Sequence, residues 1–460
     1  MSENRITQSK VHLIGIGGIG MSGIAEILIN RGAKVSGSDI KSSERTKYLE
    51  DKGVRICVGH DAENIQDADV VVYSSAIKSD NPEMLYARTK NVPTISRAEA
   101  LAELMRSKRG VAIAGTHGKT TTTSMVAQIF ESALKNPTVV SGGIVLRFGS
   151  NAKLGTGEWF IAEADESDGS FERLSPELSV ITNVDNDHIE HYGSFANLKD
   201  AFLKFADRIP FYGSVIYCGD DDDCLSLFKD FKKKAVSYGF GEDNDFSIKD
   251  LGRQVYQITR GDEVLGSFKP PLPGNHNALN SLAAVVVGLR AGISFEELKV
   301  GIESFSGVRR RFEIKADFEE EDVLVIDDYA HHPTEIVAAL SACKKRYLGS
   351  RVRCVFQPHR YSRLQTCWDQ FKNAFDMADE VFLVNVYAAG EAPIDGFGSK
   401  ELREQITNGK TSHVTVGFEE LSNELIKTSR EGDVIITLGA GDVYKIGDLV
   451  AANFKEVRSK

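Results

Sequence analysis

Val111-Ala-Ile-Ala-Gly-Thr-His-Gly-Lys-Thr-Thr-Thr-Thr-Ser124 is the stretch on which the reading of this chain turns. Its first four residues are a short apolar run of the kind that forms a buried parallel strand, and Ser124-Met-Val-Ala-Gln-Ile-Phe130 has helical apolar spacing. Between them, Gly115-Thr116-His117-Gly118-Lys119-Thr120 reads as a strand-to-helix turn, with glycines where backbone must approach something closely. Such a turn suits a phosphate. Free amides and a helix N-terminus face the anion, a lysine neutralises the outer phosphates, and a threonine hydroxyl holds magnesium. The full eight-residue pattern needs glycine at 113, where this chain has Ile113, so the loop is a shortened variant. The alternative, a glycine turn with a solvated lysine, is rejected on the flanking strand and helix.

Upstream, Val11-His-Leu-Ile14 is an apolar strand followed by Gly15-Ile-Gly17-Gly18-Ile19-Gly20 and a helix from about Met21 to Asn30. Lys34-Val-Ser-Gly-Ser-Asp39 is a second strand ending in an acidic residue, which completes a dinucleotide fingerprint. Alone it suggests a nicotinamide dehydrogenase with Asp39 on the ribose. The physics is broader: the loop cradles any pyrophosphate, and Asp39 can bind any sugar or base edge nearby. Further strands are expected at Val54–Cys57 and Val70–Tyr73, the latter running into Ser74-Ser75-Ala76, where a ligand can lie. A helix at Arg97 to Met105 leads to the basic joint Arg106-Ser-Lys-Arg-Gly110, a domain boundary.

Downstream, Glu158-Trp-Phe-Ile-Ala-Glu163 is a strand ending in a carboxylate, with Asp165-Glu166-Ser167-Asp168 beyond it. Leu178–Thr182 is the next strand, followed by Asn183-Val-Asp185-Asn-Asp187-His188. Carboxylates and a histidine at neighbouring strand ends beside a phosphate loop suit a hydrated magnesium ion, although Asp165 and Asp168 can equally be a solvated acidic turn. The section from Ala235 to Pro273 has the alternation of a small antiparallel insertion. Asn277 and Asn280 precede an apolar helix, Ser281 to Ala291, and serve either as caps or as hydrogen-bonding partners of an adenine edge. Arg309-Arg310-Arg311 is either a solvated hinge or a phosphate clamp. The last section opens with Val323–Ile326 and Asp327-Asp328-Tyr329-Ala-His331-His332-Pro333-Thr334-Glu335, then a helix to about Cys343. Strand Val352–Phe356 leads into Gln357-Pro-His359-Arg360-Tyr361-Ser-Arg363, and further strands are expected at Val381–Val384 and Val434–Thr437. The glycine turn Gly439-Ala-Gly441 after the last of these reads as tight helix packing. Histidines and arginines collected at strand ends make a binding-site candidate.

The 460 residues, 42% hydrophobic and 26% charged, suit several globular domains. A net charge of −11 argues against a broad nucleic-acid surface. No apolar run approaches the roughly 20 residues of a membrane span, Met1–Arg5 lacks an apolar signal core, and the 6 cysteines include no C-x-x-C pair. A cytoplasmic protein with no membrane or nucleic-acid partner is expected.

The expected fold is α/β in three domains. Residues 1–107 form a Rossmann-like substrate domain, 108–311 a central phosphate-loop ATPase domain with a mostly parallel sheet, and 312–460 a C-terminal Rossmann-like domain. Two pyrophosphate-friendly loops, an acidic magnesium patch and a basic strand-end cluster point to joining chemistry driven by ATP. A dehydrogenase leaves the phosphate loop and the third domain without a role. A non-catalytic nucleotide switch leaves the two later clusters unexplained.

Along nearly its full length the chain resembles the muramyl ligases of cell-wall synthesis. The resemblance is carried by Gly15–Gly23, Gly115–Thr121, Glu163–Asp168, Asp187-His188, His276-Asn277 with Asn280, Arg310–Glu313, Asp328–Glu335 and Gln357–Arg363. Within that family it is similar to the alanine-adding branch. The resemblance implies an amide formed between the lactyl carboxylate of UDP-N-acetylmuramate and L-alanine through an acyl phosphate, with ATP and Mg2+ as cofactors. It places Gly17, Gly18, Ile19 and Gly20 on the UDP pyrophosphate, with Asp39 and Ser74 near the nucleoside. It places Gly115, Thr116, His117, Gly118, Lys119, Thr120 and Thr121 on ATP, Lys119 at the β- and γ-phosphates, Asn277 and Asn280 at the adenine, and Arg311 at the phosphates. Thr120 is implied as ligand of one magnesium ion and Glu163 with His188 of a second, Glu166 sharing or replacing Glu163. Asp328, His331, Arg360 and Arg363 are implied as the alanine pocket, with His331 a candidate acceptor for the amine's proton. Two departures stand out. Sister ligases carry a carbamylated lysine where this chain has Phe202, so no such modification is expected. Ala330 stands where glycine is expected before His331.

Overall fold

The computed structural model describes residues 6–187, 189–317, 322–406, 411–415 and 417–458, and contains three sheets. The first has its strands in the order Arg55–Val58, Lys34–Asp39, Lys10–Ile14, Val70–Tyr73, Thr94–Ser96, all parallel. Leu13, Ile14, Val71 and Val72 are buried, as expected for strands covered on both faces. The strand order reverses between Lys10–Ile14 and Val70–Tyr73. Gly15–Gly20 and Ser74 therefore lie at the switch point, where open α/β sheets take ligands.

The second sheet runs Glu263–Phe268, Tyr256–Arg260, Phe246–Asp250, Ala235–Gly239, Ser214–Cys218, Leu178–Ile181, Arg109–Ala114, Trp159–Glu163, Thr138–Val145, Ser150–Lys153. It is parallel from Phe246–Asp250 through to Thr138–Val145 and antiparallel at both flanks. This corrects the expected insertion over 235–273. Only Phe246–Phe268 has antiparallel pairing, and Ala235–Gly239 extends the parallel sheet. The alternation comes from an edge with one face exposed: Tyr256 and Ile258 are buried while their neighbours are not. The hairpin Thr138–Lys153 was not foreseen. The third sheet has the order Glu313–Ala316, Leu324–Asp328, Val434–Leu438, Val352–Phe356, Glu380–Val384, Thr411–Thr415, parallel except for its first strand.

Packing divides the chain into two units, Met1–Pro271 with Leu279–Ser306, and Leu272–Ala278 with Gly307–Lys460. The first two sheets share the first unit, and the hairpin is one of the elements that join them. Helix Ile19–Asn30 lies against it: Asn151 donates to the Ile19 carbonyl at 2.6 Å, and Ser150 donates to Glu26 at 2.7 Å. Helix starts follow local chemistry. Ser96 and Glu99 close a capping box on helix Arg97–Met105. Helix Asn275–Arg290 starts earlier than the expected Ser281, so Asn277 and Asn280 are buried helical residues, not caps preceding the helix. Phe202 is fully buried on helix Phe195–Ala206, edge-on to Phe171 at 5.2 Å. Among the described residues no helix is long and apolar enough to cross a membrane.

Candidate active site

In the first unit the phosphate loop closes exactly where strand Arg109–Ala114 hands over to helix Lys119–Ser132. Gly118 caps that helix at φ 83°, and Gly115 has φ 127°, both costly for a residue with a Cβ. Neighbouring strand ends hold the loop in place. Asn183 accepts from the His117 amide at 2.8 Å and donates to its carbonyl at 3.0 Å, and Thr116 accepts from the Asp185 amide at 2.9 Å. The His117 ring lies 3.0 Å from an Asp185 oxygen. Asn280 packs against Gly118, where an added Cβ would come within 2.6 Å of its amide oxygen.

Lys119 folds back over the loop, donating to the Gly115 carbonyl at 2.6 Å and to Glu166 at 2.7 Å. Burial alone pulls its pKa down, but the charges of Glu166, Asp165 and Glu163 outweigh that and leave it raised. Burial drives Glu166 the other way, to about 7, in spite of Lys119. Glu163 has different partners: one oxygen accepts from Thr120 at 3.0 Å, the other from the Gly142 amide at 2.6 Å. A Cβ at Gly142 would lie 2.4 Å from the Glu163 carboxylate, so that approach is open only to glycine. The two glutamates thus separate, Glu163 with the threonine and Glu166 with the lysine. His188 lies outside the described residues.

At the first sheet's switch point, the Gly17 amide donates to Asp39 at 2.9 Å. Gly18 caps helix Ile19–Asn30 and leaves an N-terminus facing outward from the strand ends. Ser74 approaches Gly15 on the other side of the loop. Gly17, Gly18, Ile19, Gly20, Asp39 and Ser74 therefore come together as one cradle. Arg97, which the sequence offered only as a helix start, packs against Gly20 and reaches Asp165 at 3.5 Å and Asp168 at 3.7 Å.

The second unit gathers Asp328, His331, Arg360 and Arg363. Asp328 accepts from the Phe312 amide at 2.7 Å and the Ala330 amide at 2.8 Å, and burial raises its pKa to about 6. Ala330 is not in the left-handed region, so its methyl is accommodated without glycine. The His331 Nδ1 lies 2.9 Å from the Tyr329 carbonyl, which requires it to be the protonated nitrogen and leaves Nε2 as an acceptor. Burial, with Arg363 beside it, lowers the His331 pKa to about 3 and that of His359 to about 4. Arg363 donates to His359 at 3.3 Å, and the His359 ring stacks on Tyr387 with centroids 5.6 Å apart. Sequence reading assigned no role to His359 or Tyr387, although His359 stands inside the quoted cluster. Arg360 has φ 65° and ψ 137°, a conformation seldom adopted outside glycine and held by the hydrogen bond its backbone N–H donates to the Tyr387 carbonyl at 2.9 Å.

Two arginines of the triplet meet at one aromatic ring. Arg310 is anchored, donating to Asp327 at 3.1 Å and to the Gly441 carbonyl at 2.9 Å, and it shares the Tyr329 ring with Arg311, each at 5.0 Å. The Gly439–Gly441 turn is packed against Gln357 and Tyr387, where Cβ atoms would clash. Asn277 donates to the Pro273 carbonyl at 2.7 Å within this unit.

Comparison with known proteins matches three successive stretches of the chain. Residues 10–109 match the Mur ligase family catalytic domain, 113–288 the Mur ligase middle domain, and 310–441 the domain described as Mur ligase, glutamate ligase domain. A UDP-N-acetylmuramate–L-alanine ligase of Bdellovibrio bacteriovorus is 48% identical over 96% of this chain and 98% of its own length. One of Desulfatibacillum aliphaticivorans is 48% identical over the same shares. The crystal structure of the UDP-N-acetylmuramate-alanine ligase MurC from Thermotoga maritima superimposes with a TM-score of 0.83 at 32% identity, covering 97% of this chain and 99% of that one. The chain belongs to the Mur ligase family.

Proposed function

We infer that this chain is an ATP-dependent UDP-N-acetylmuramate–L-alanine ligase of peptidoglycan precursor synthesis. The observation that carries the reading is 48% identity, across 96% of the chain, to enzymes of that name. The reaction proceeds in two steps. A lactyl carboxylate oxygen attacks the γ-phosphorus of ATP, the bond to ADP breaks, and an acyl phosphate forms. The alanine amine then attacks the acyl carbon, loses a proton, and expels phosphate. An enzyme of this kind works in the cytoplasm on small anionic substrates and requires neither nucleic acid nor membrane.

We assign the roles as follows. Gly115 to Thr121 cradle the ATP phosphates, with Lys119 neutralising the charge that develops on the transferred group. Thr120 would hold one magnesium ion and Glu163, with His188, a second; the threonine hydroxyl and the glutamate carboxylate, 3.0 Å apart, are hard oxygen donors that fit magnesium. Magnesium, when bound, would supply further neutralisation of the phosphate charge. Glu166 serves Lys119 instead, holding the lysine over the loop until phosphate displaces it. Asn277 and Asn280 face the adenine and Arg311 the phosphates. The Gly17–Gly20 cradle holds the UDP pyrophosphate, with Asp39 and Ser74 toward the nucleoside. Asp328 shapes the alanine pocket, and Arg360 and Arg363 pair with the amino acid's carboxylate. His331 accepts the amine's proton through Nε2, and burial holds the imidazole in the neutral form which that role requires. The domains so defined are 1–107 for the UDP substrate, 108–311 for ATP and 312–460 for alanine.

Oxygen tracing tests the chemistry. UDP-N-acetylmuramate carrying 18O in its lactyl carboxylate should transfer one labelled oxygen to the released phosphate. Phosphate free of label would rule out the acyl phosphate.

A further inference from the structure

Arg97 is the first residue of helix Arg97–Met105, which starts at the capping box of Ser96 and Glu99. Its guanidinium lies where the first sheet's loop meets the second sheet's acidic cluster. A Cβ on Gly20 would come within 3.0 Å of its Nη1, and its Nη2 stands 3.5 Å from Asp165 and 3.7 Å from Asp168. Gly20 belongs to the first turn of the helix that the UDP cradle opens. Asp165 sits next to Glu166, the partner of Lys119. The Asp165 carboxyl, pushed up by desolvation, is held below its ordinary value by the charges of Lys119 and Arg97 together. One cation therefore spans from the substrate cradle to the phosphate loop, and its side chain keeps 18% of its surface exposed.

The substrate must cover the same path. Its pyrophosphate end belongs to the cradle, and its lactyl carboxylate must arrive at the γ-phosphate of ATP. That carboxylate enters a region that already holds Glu163, Asp165, Glu166 and Asp168, where Lys119 and magnesium at Glu163 would offset charge on the ATP side, and a further cation on the sugar's side would offset it along the substrate's path. Lys119 serves the ATP phosphates. A guanidinium presents a planar fork that matches a carboxylate bidentately.

We propose that Arg97 binds the lactyl carboxylate of the UDP substrate, exchanging its Asp165 and Asp168 contacts for it, and so selects the lactyl-bearing sugar. This rests on the ligase reading above. It makes Arg97 a specificity-determining residue and not merely a brace between two sheets.

The test compares the full-length enzyme with Arg97→Gln and Arg97→Lys. Calorimetry measures affinity for UDP-N-acetylmuramate and for UDP-N-acetylglucosamine, the same nucleotide sugar without the lactyl ether. Thermal unfolding is recorded alongside. Wild type should prefer the lactyl sugar. Arg97→Gln should shrink that preference about tenfold or more while leaving the lactyl-free sugar's affinity unchanged. Arg97→Lys should restore part of the preference, and the KM for ATP should stay within about twofold in both variants. Equal weakening toward both sugars would overturn the proposal in favour of a pyrophosphate contact. An unchanged preference with a lowered melting temperature would overturn it in favour of a brace. Wild type that binds neither sugar would overturn the ligase reading and this inference together, which distinguishes that failure from the other two.

Discussion

Lys119 with its carboxylates in the first unit and the His331–His359 pair in the second are both buried, yet burial moves their protons in opposite directions. Glu166 is pushed up to about 7, while His331 falls to about 3 and His359 to about 4. Desolvation penalises whichever form is charged, so acids retain protons and bases shed them. In each cluster burial therefore trims charge: Glu166, beside Glu163, Asp165 and Asp168, keeps its proton up to about 7, and the imidazoles of the second cluster are neutral beside Arg360 and Arg363. The carboxylates left in the first, partnered by Lys119 and Arg97, suit a magnesium ion, and the arginines of the second suit a carboxylate. One physical effect acts on two opposite sites.

The largest expected effect comes from removing the lysine on which the first cluster depends. Lys119→Ala should leave the fold intact and cut phosphate release by at least about 10²–10³-fold. Full activity in that variant, followed by a coupled phosphate assay, would remove the phosphate loop from the mechanism. Gly142→Ala should come next. A methyl directed at the Glu163 carboxylate displaces it from Thr120, and kcat should fall about tenfold or more with the KM for alanine little changed. Steady-state kinetics that match wild type would detach Glu163 from the reaction. In the second cluster, Arg360→Ala should raise the KM for alanine about 10–100-fold, the worth of a charge-assisted hydrogen bond, and that for ATP much less. Equal effects on both would take Arg360 out of the pocket.

How much of these two clusters the sequence disclosed follows from how each is built. The phosphate loop was legible because its parts are contiguous: strand, glycine turn, lysine and helix follow one another. The His331 and Arg360 runs were legible for the same reason, each sitting at the end of a buried strand. Gly142 and Arg97 were not legible. Each comes from another element and meets its partner only through tertiary packing, Gly142 from a hairpin whose edge strand, Ser150–Lys153, is short and polar. The division of labour between Glu163 and Glu166 was likewise hidden, since both lie three residues apart beside the same loop. The edge of the central sheet was legible where it alternates, since Tyr256–Arg260 pairs antiparallel as expected. It misled at Ala235–Gly239, a buried run without alternation that pairs in parallel.

The smallest expected effect sharpens the comparison through pH. Glu166 has a folded pKa above its unfolded value of 4.5, so its stabilising contribution is full below that value and is lost as pH rises through about 7. His359 has a folded pKa below its unfolded 6.5, so its contribution is present above 6.5 and is lost as pH falls toward about 4. Melting temperatures of the ligand-free protein should reflect both. Glu166→Gln should lose less stability than wild type between about pH 5 and about pH 8, and His359→Phe should lose less on acidification below about pH 6. Slopes identical to wild type in both variants would contradict the opposed burial of the two clusters.

Phosphate release from Mg-ATP with UDP-N-acetylmuramate present, and with L-alanine added or omitted, tests the central claim most directly. The account predicts release that requires both substrates, with the new amide found by mass spectrometry. Release supported by a preformed tripeptide but not by alanine would contradict it, and so would release that ignores UDP-N-acetylmuramate.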